Sequence, residues 1–133
     1  RYVEGEHDCR LEYPTALFAP PEDADAAPQL FTGPNEDTYF RIMGADNTSQ
    51  WTPADIKAKY LQSGVPGDVT YERTKGEFLV LSGYRGKSIF YTKVSVSDDE
   101  KTACILEITY PRAKKHQFDA IVTRMSRSFS ARS

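Results

Sequence analysis

Four strand-like runs follow one another in the second half of the chain: "DVTYERT", "EFLVLSGY", "SIFYTKVSV" and "TACILEITY". Their connections, Lys75–Gly76, Arg85–Lys87 and Ser97–Lys101, are all of hairpin length, so the strands can only form an antiparallel meander. Gly86 stands where a tight hairpin wants a residue tolerant of positive φ, and Arg85 and Lys87 beside it are what an exposed turn usually carries.

The elements around the meander follow from local patterns. In "HDCRLEYP", Cys9, Leu11 and Tyr13 alternate with Asp8, Arg10 and Glu12, which predicts a half-buried strand stopped by Pro14. The acidic, proline-bounded run from Pro20 to Pro28 has no apolar period and reads as a mobile surface loop. "QLFTG" and "TYFRIMG" flank the turn "PNED" and predict a hairpin, with Tyr39 and Arg41 on one face and Phe40 and Ile42 on the other. "WTPADIKAKYLQSG" is a helix with Thr52 as N-cap, Pro53 in the first helical position, Asp55 closing a capping box and Gly64 as the stop. Trp51 before the cap is expected to staple onto Ile56. In the last element, Phe118, Ile121, Val122, Met125 and Phe129 form one apolar helical stripe, with His116, Ala120, Thr123 and Arg127 opposite.

The expected class is therefore α+β: one domain over residues 1–133, an antiparallel sheet with an amphipathic C-terminal helix and a second helix packed on it. Apolar residues at 39% and charged residues at 27% are ordinary for a globular chain, and no window approaches the roughly 20 apolar residues of a membrane span. The chain opens at Arg1 without an initiator Met or a signal-peptide hydrophobic stretch, so it is expected to be processed or cut from something longer.

Charge is unevenly spread. Residues 1–46 carry three basic and ten acidic groups (net −7), and residues 47–133 carry fourteen basic and nine acidic (net +5). Arg112, Lys114, Lys115, Arg124, Arg127 and Arg132 face only Asp119 near the C-terminus. With an acidic overall balance and no nucleic-acid motif, this reads as a solvated helix face, and no nucleic-acid partner is expected.

A search for chemistry yields no catalytic signature. His7 and Cys9 share a strand face while Asp8 points away, which is a poor start for a Cys-His site, and His116 lies on the wet side of the last helix. Ser82 in "LVLSGYRG" lacks the glycine pattern of a nucleophile elbow. No metal-ligand spacing and no phosphate-cradling loop occur, so neither a metal nor another cofactor is expected. "SDDE" at Ser97–Glu100 belongs to a turn, where solvated acids are normal. Tyr71, Phe78, Tyr84, Phe90, Tyr91 and Tyr110 crowd the meander, and alternation sends part of this set under helices and leaves the rest to line a pocket or interface. If the chain has a binding surface, Tyr84, Arg85, Lys87 and Tyr91 around the hairpin are its candidates. The alternative is a small hydrolase using a carboxylate or Cys-His site.

"RLEYPTALF", "LVLSGYRGKSIFY", and "LEITYP" followed by "FDAIVTRMSRSF" resemble small bacterial secreted domains of unknown function similar to the PsbP and DcrB group. The resemblance spans nearly the whole chain and its motifs are structural: Tyr13-Pro14 and Tyr110-Pro111 close strands, and Ser82-Gly83 precedes the hairpin. It implies an α/β/α sandwich and an extracytoplasmic (periplasmic or secreted), non-enzymatic accessory or binding role. The long N-terminal tail of photosystem PsbP proteins has no counterpart here, and no lipobox precedes Cys9, so it implies neither a photosynthetic role nor a lipid anchor. Cys9 shares a face with Leu11 and Tyr13, and Cys104 with Leu106 and Ile108. If one sheet brings these faces together in an oxidising compartment, the pair forms a disulfide; otherwise both are small buried hydrophobes.

Overall fold

The computed structural model describes residues 2–4, 9–21, 29–47, 49, 51–63, 68–97 and 101–131, with only the backbone of residues 2–4, 60, 61, 63 and 131. His7, Gly64, the segment 22–28 and the turn residues 98–100 lie outside the described residues.

The meander forms with its expected hairpins: β5 (Asp68–Lys75), β6 (Phe78–Arg85), β7 (Ser88–Val96) and β8 (Thr102–Pro111). The hairpin of β3 (Gln29–Thr32) and β4 (Tyr39–Asp46) joins along β8, giving one six-stranded antiparallel sheet in the order β3-β4-β8-β7-β6-β5. A small second sheet pairs β1 (Tyr2–Glu4), β2 (Cys9–Leu11) and β9 (Ser130–Ala131). The N-terminal strand is thus shorter than the alternation implies: it ends at Leu11, and Tyr13 belongs to the loop behind it.

A helix covers each face of the large sheet. On one face, Phe118, Val122, Met125 and Phe129 of α2 (Lys115–Ser128) and its end pack on Phe40, Ile42, Ile89, Leu106 and Ile108. His116, Ala120, Thr123 and Arg127 are exposed, as the helical period requires, and Ile121 is half-buried. On the opposite face, Ile56 of α1 (Pro53–Ser63) packs on Leu79, Leu81, Val94, Val96 and Ala103. The start of α1 is the expected capping box: Asp55 N–H donates to Thr52 Oγ1 (3.3 Å), and Thr52 N–H donates to Asp55 Oδ2 (3.0 Å). Trp51 is 37% exposed; Asn47 brackets its backbone on both sides, and Lys59 lies over its ring at 5.5 Å.

The α2 face is not evenly filled. At the β3–β4 end, Tyr13, Phe18, Phe31 and Phe40 make a close aromatic cluster, with Phe31 and Phe40 stacked at 4.4 Å. Beside it a disulfide joins Cys9 to Cys104, with α-carbons 5.7 Å apart. The two cysteines stand in different sheets, so the bond ties the small sheet to the middle of the large one rather than crossing a single sheet. Buried Lys93 of β7 closes the far end of α2, its ammonium donating to the carbonyls of Ser126 (2.5 Å) and Phe129 (3.2 Å). Toward β5 the covering layer runs out and a cleft opens.

Candidate functional site

The cleft lies between α2 and the β5–β6 end of the sheet and encloses about 410 Å³, within the range of small-ligand sites. Tyr71, Tyr84, Tyr91 and Tyr110 line it from four successive strands, and Lys115, Asp119, Val122 and Thr123 line it from α2. Strand pairing explains the convergence. Tyr71 and Tyr91 both stand opposite Ser82, and Tyr84 and Tyr110 both stand opposite Ile89, so the four rings occupy two neighbouring rows on one face.

Tyr71 reaches this face through an irregularity. Val69 pairs with Gly83, but Tyr71 pairs with Ser82, so the register shifts by one residue between them. Without that bulge Tyr71 would follow Val69 to the α1 side; the extra residue turns its ring into the cleft. Gly83 is required here because the β5 backbone comes so close that a Cβ would lie 1.8 Å from the Asp68 carbonyl oxygen. Gly86, at φ +61°, makes the β6–β7 turn.

The phenols are not equivalent. Tyr91 shares a 2.7 Å hydrogen bond with Ser126 Oγ, and burial lifts its pKa above the ordinary value despite that bond. Tyr110 is only 4% exposed and packs on Phe118 at 5.5 Å. Burial first, and then the nearby Asp119, Tyr91 and Tyr84, push its pKa up to about 12. Among the described residues no hydrogen bond reaches the hydroxyls of Tyr71, Tyr84 or Tyr110, yet none of them is sealed from solvent. The Tyr110 hydroxyl therefore keeps a small open surface, and the residue lines the cleft. Arg112 lies 4.0 Å over the Tyr84 ring, while Lys115 and Asp119 neutralise each other at 2.9 Å on the rim.

The four hairpin residues singled out in the sequence divide between the two faces. Tyr84 and Tyr91 meet in the cleft, whereas Arg85 is on the opposite face, its Nη2 3.4 Å from Tyr39 Oη. Burial raises the pKa of Tyr39, but bonds from Thr109 and Arg85 and the charges of Arg85 and Arg41 outweigh it, and the phenol lies below its ordinary value. Lys87 is exposed in the turn, where its carbonyl accepts from Arg112 N–H. Sequence reading of the hairpin leaves out Tyr71, Tyr110 and the helix side of the cleft, although Tyr84, Ile89 and Tyr110 have matching parity in neighbouring strands.

A second depression of about 560 Å³ lies on the β3–β4 hairpin, lined by Leu30, Asn35, Glu36, Thr38, Tyr39 and Arg41 among others. Its one buried polar side chain, Thr38, is already bonded to Asn35 at 3.1 Å, so nothing buried there awaits a ligand. Among the described residues no three His, Cys, Asp or Glu side chains are grouped to hold a metal. Cys9 is in the disulfide and offers no thiolate to a Cys-His site.

No known family model matches the chain, and no curated protein does. Among solved structures it is similar to cyanobacterial PsbP (CyanoP) from Synechocystis sp. PCC 6803, determined in solution: the TM-score is 0.62 at 10% identity, over 96% of this chain and 94% of that chain. The six-stranded antiparallel sheet with its C-terminal helix and one further helix is a PsbP-like α+β fold.

Proposed function

We propose that this chain is an extracytoplasmic, non-catalytic accessory or binding domain, one unit over residues 1–133, and that the tyrosine cleft is its binding site. The observation that carries this reading is Tyr110: a phenol 4% exposed, with no hydrogen-bond partner among the described residues, lining a cavity of ligand size. The hydroxyl keeps a small open surface, and a ligand acceptor there would take a hydrogen bond that no described protein group takes. The disulfide supports an oxidising compartment, where such bonds persist. Tyr84 and Tyr91 belong to the proposed site, and Arg85 and Lys87 stand outside it.

Hydrolysis needs an acid or base free to act. Two titratable side chains do lie close together at the cleft, Lys115 and Asp119 at 2.9 Å, but they form a half-exposed pair one helical turn apart. The carboxylate holds the lysine pKa above its ordinary value, which fits a surface ion pair rather than a proton-transfer site.

The test is a fragment titration of the isotope-labelled protein with neutral amides and aromatic alcohols, read by amide chemical shifts. Shifts gathered at Thr70, Ser82, Gly83, Ile89 and Thr123 support the reading. Shifts confined to the Tyr39–Arg41 face, or scattered over the surface, overturn the site. Turnover of p-nitrophenyl acetate that Asp119→Asn abolishes would overturn the non-catalytic assignment.

A further inference from the structure

Given the binding site just proposed, on which this inference rests, the chemistry of the cleft narrows its ligand. Tyr71, Tyr84 and Tyr110 offer hydroxyls with no partner among the described residues, set among aromatic faces. At the cleft Asp119 Oδ2 takes Lys115, and the Asp119 carbonyl takes the Thr123 hydroxyl. The Ser82 hydroxyl donates to the Phe90 carbonyl, so its proton is not offered to a ligand. The three phenols are therefore the cleft groups left to donate to a ligand, and on the rim Lys115 and Asp119 neutralise each other.

A fitting ligand brings acceptors to these phenols and apolar flanks to the aromatic faces. A sugar would answer the phenols with hydroxyls rather than carbonyls, and serves as the competing ligand class in the test. A polyproline II segment fits well: proline has no N–H, the backbone carbonyls make no internal bonds, and the ring methylenes lie flat against aromatic side chains. The spacing also agrees. Tyr71 and Tyr91 share one row two strands apart, as do Tyr84 and Tyr110 in the next. Two strand spacings are about 9.5 Å, and a polyproline II helix repeats every three residues, about 9.3 Å.

We infer that the tyrosine cleft binds a proline-rich segment of a partner protein in the polyproline II conformation, its carbonyls accepting from Tyr71, Tyr84 and Tyr110.

The experiment is a chemical-shift titration of the labelled chain with an acetylated, amidated peptide of three Ala-Pro-Pro repeats, beside a Gly-Ser peptide of equal length and N-acetylglucosamine trimer. The expected result is saturable shifts of cleft amides with the proline peptide alone. Tyr110→Phe and Tyr71→Phe, which remove only hydroxyls, should each weaken binding about tenfold, the worth of one good hydrogen bond. Tyr39→Phe, on the other face, should leave affinity unchanged. Tyr71 is 48% exposed, so its variant cannot fail by unfolding. Equal binding of the Gly-Ser peptide, shifts outside the cleft, preference for the sugar, or no shift with the proline peptide overturns the inference. If fragments still gather in the cleft when the proline peptide does not, the ligand class falls and the binding site stands.

Discussion

Lys93 Nζ donates to the Ser126 carbonyl, so a cation in the middle of the sheet holds the last turn of α2. The lysine is 8% exposed and has no carboxylate partner among the described residues; the Phe78 ring lies 4.9 Å from its ammonium. Burial draws its pKa below the ordinary value, yet helix carbonyls and an aromatic face give the charge a fitting environment. Lys93→Met keeps the stem and removes the charge, and should cost about 1 to 3 kcal/mol, the loss of hydrogen bonds from a charged donor less the relief of its burial. A urea midpoint equal to wild type would show that burial had cancelled the bonds.

The disulfide closes a loop between residues 95 apart in sequence. The chain-entropy model assigns a loop of that length about 4 to 5 kcal/mol. Urea denaturation with and without dithiothreitol should reveal a loss of that order, and mass spectrometry of unreduced, alkylated protein should find no free thiol. Two alkylated cysteines in protein from an oxidising compartment would remove the bond and one support of the extracytoplasmic proposal.

On α2, Val122 is 4% exposed, and its truncation to alanine should cost about 1 to 3 kcal/mol through lost burial and a residual cavity. His116 is exposed, and His116→Ala should stay within about 0.5 kcal/mol. Thermal denaturation of the two variants checks the helical phase, which would be wrong if the histidine proved the costlier loss.

Tyr110 makes stability depend on alkaline pH. Its folded pKa, about 12, lies above the unfolded value of 10.0, so above pH 10 the unfolded chain sheds this proton while the folded chain keeps it. Its contribution is complete below pH 10 and is lost as pH rises toward 12. Melting temperature should therefore fall more steeply across that window in wild type than in Tyr110→Phe. Tyrosinate absorbance, wild type minus variant, should titrate near the upper end.

Legibility in the sequence followed period and length. The meander, the β3–β4 hairpin and α2 were readable because alternation and the helical stripe persist over several residues. β1 and β9, of three and two residues, are too short to carry a period and exist because they pair with β2. Parity gave the inward faces of Cys9 and Cys104 but not the sheet to which each belongs. The cleft was half readable: Tyr84 and Tyr91 were singled out, whereas Tyr71 was hidden because the bulge inverts the side that simple alternation assigns. Lys93 has the parity of Ile89 and Tyr91, and only its charge disguises it as a surface residue.

The Cys9–Cys104 link also decides how the molecule would answer a pull on its ends. β2 and β9 run antiparallel, with Cys9 beside Ala131, so opposed tension on the chain ends peels them apart one pair at a time. Load then passes through the sulfur bridge into β8 and bypasses everything between the cysteines. The loop between them, on the order of 320 Å of contour at about 3.4 Å per residue, cannot pay out while the bond holds. The oxidised protein is therefore a short tether with a hard stop, and reduction would turn it into a long one.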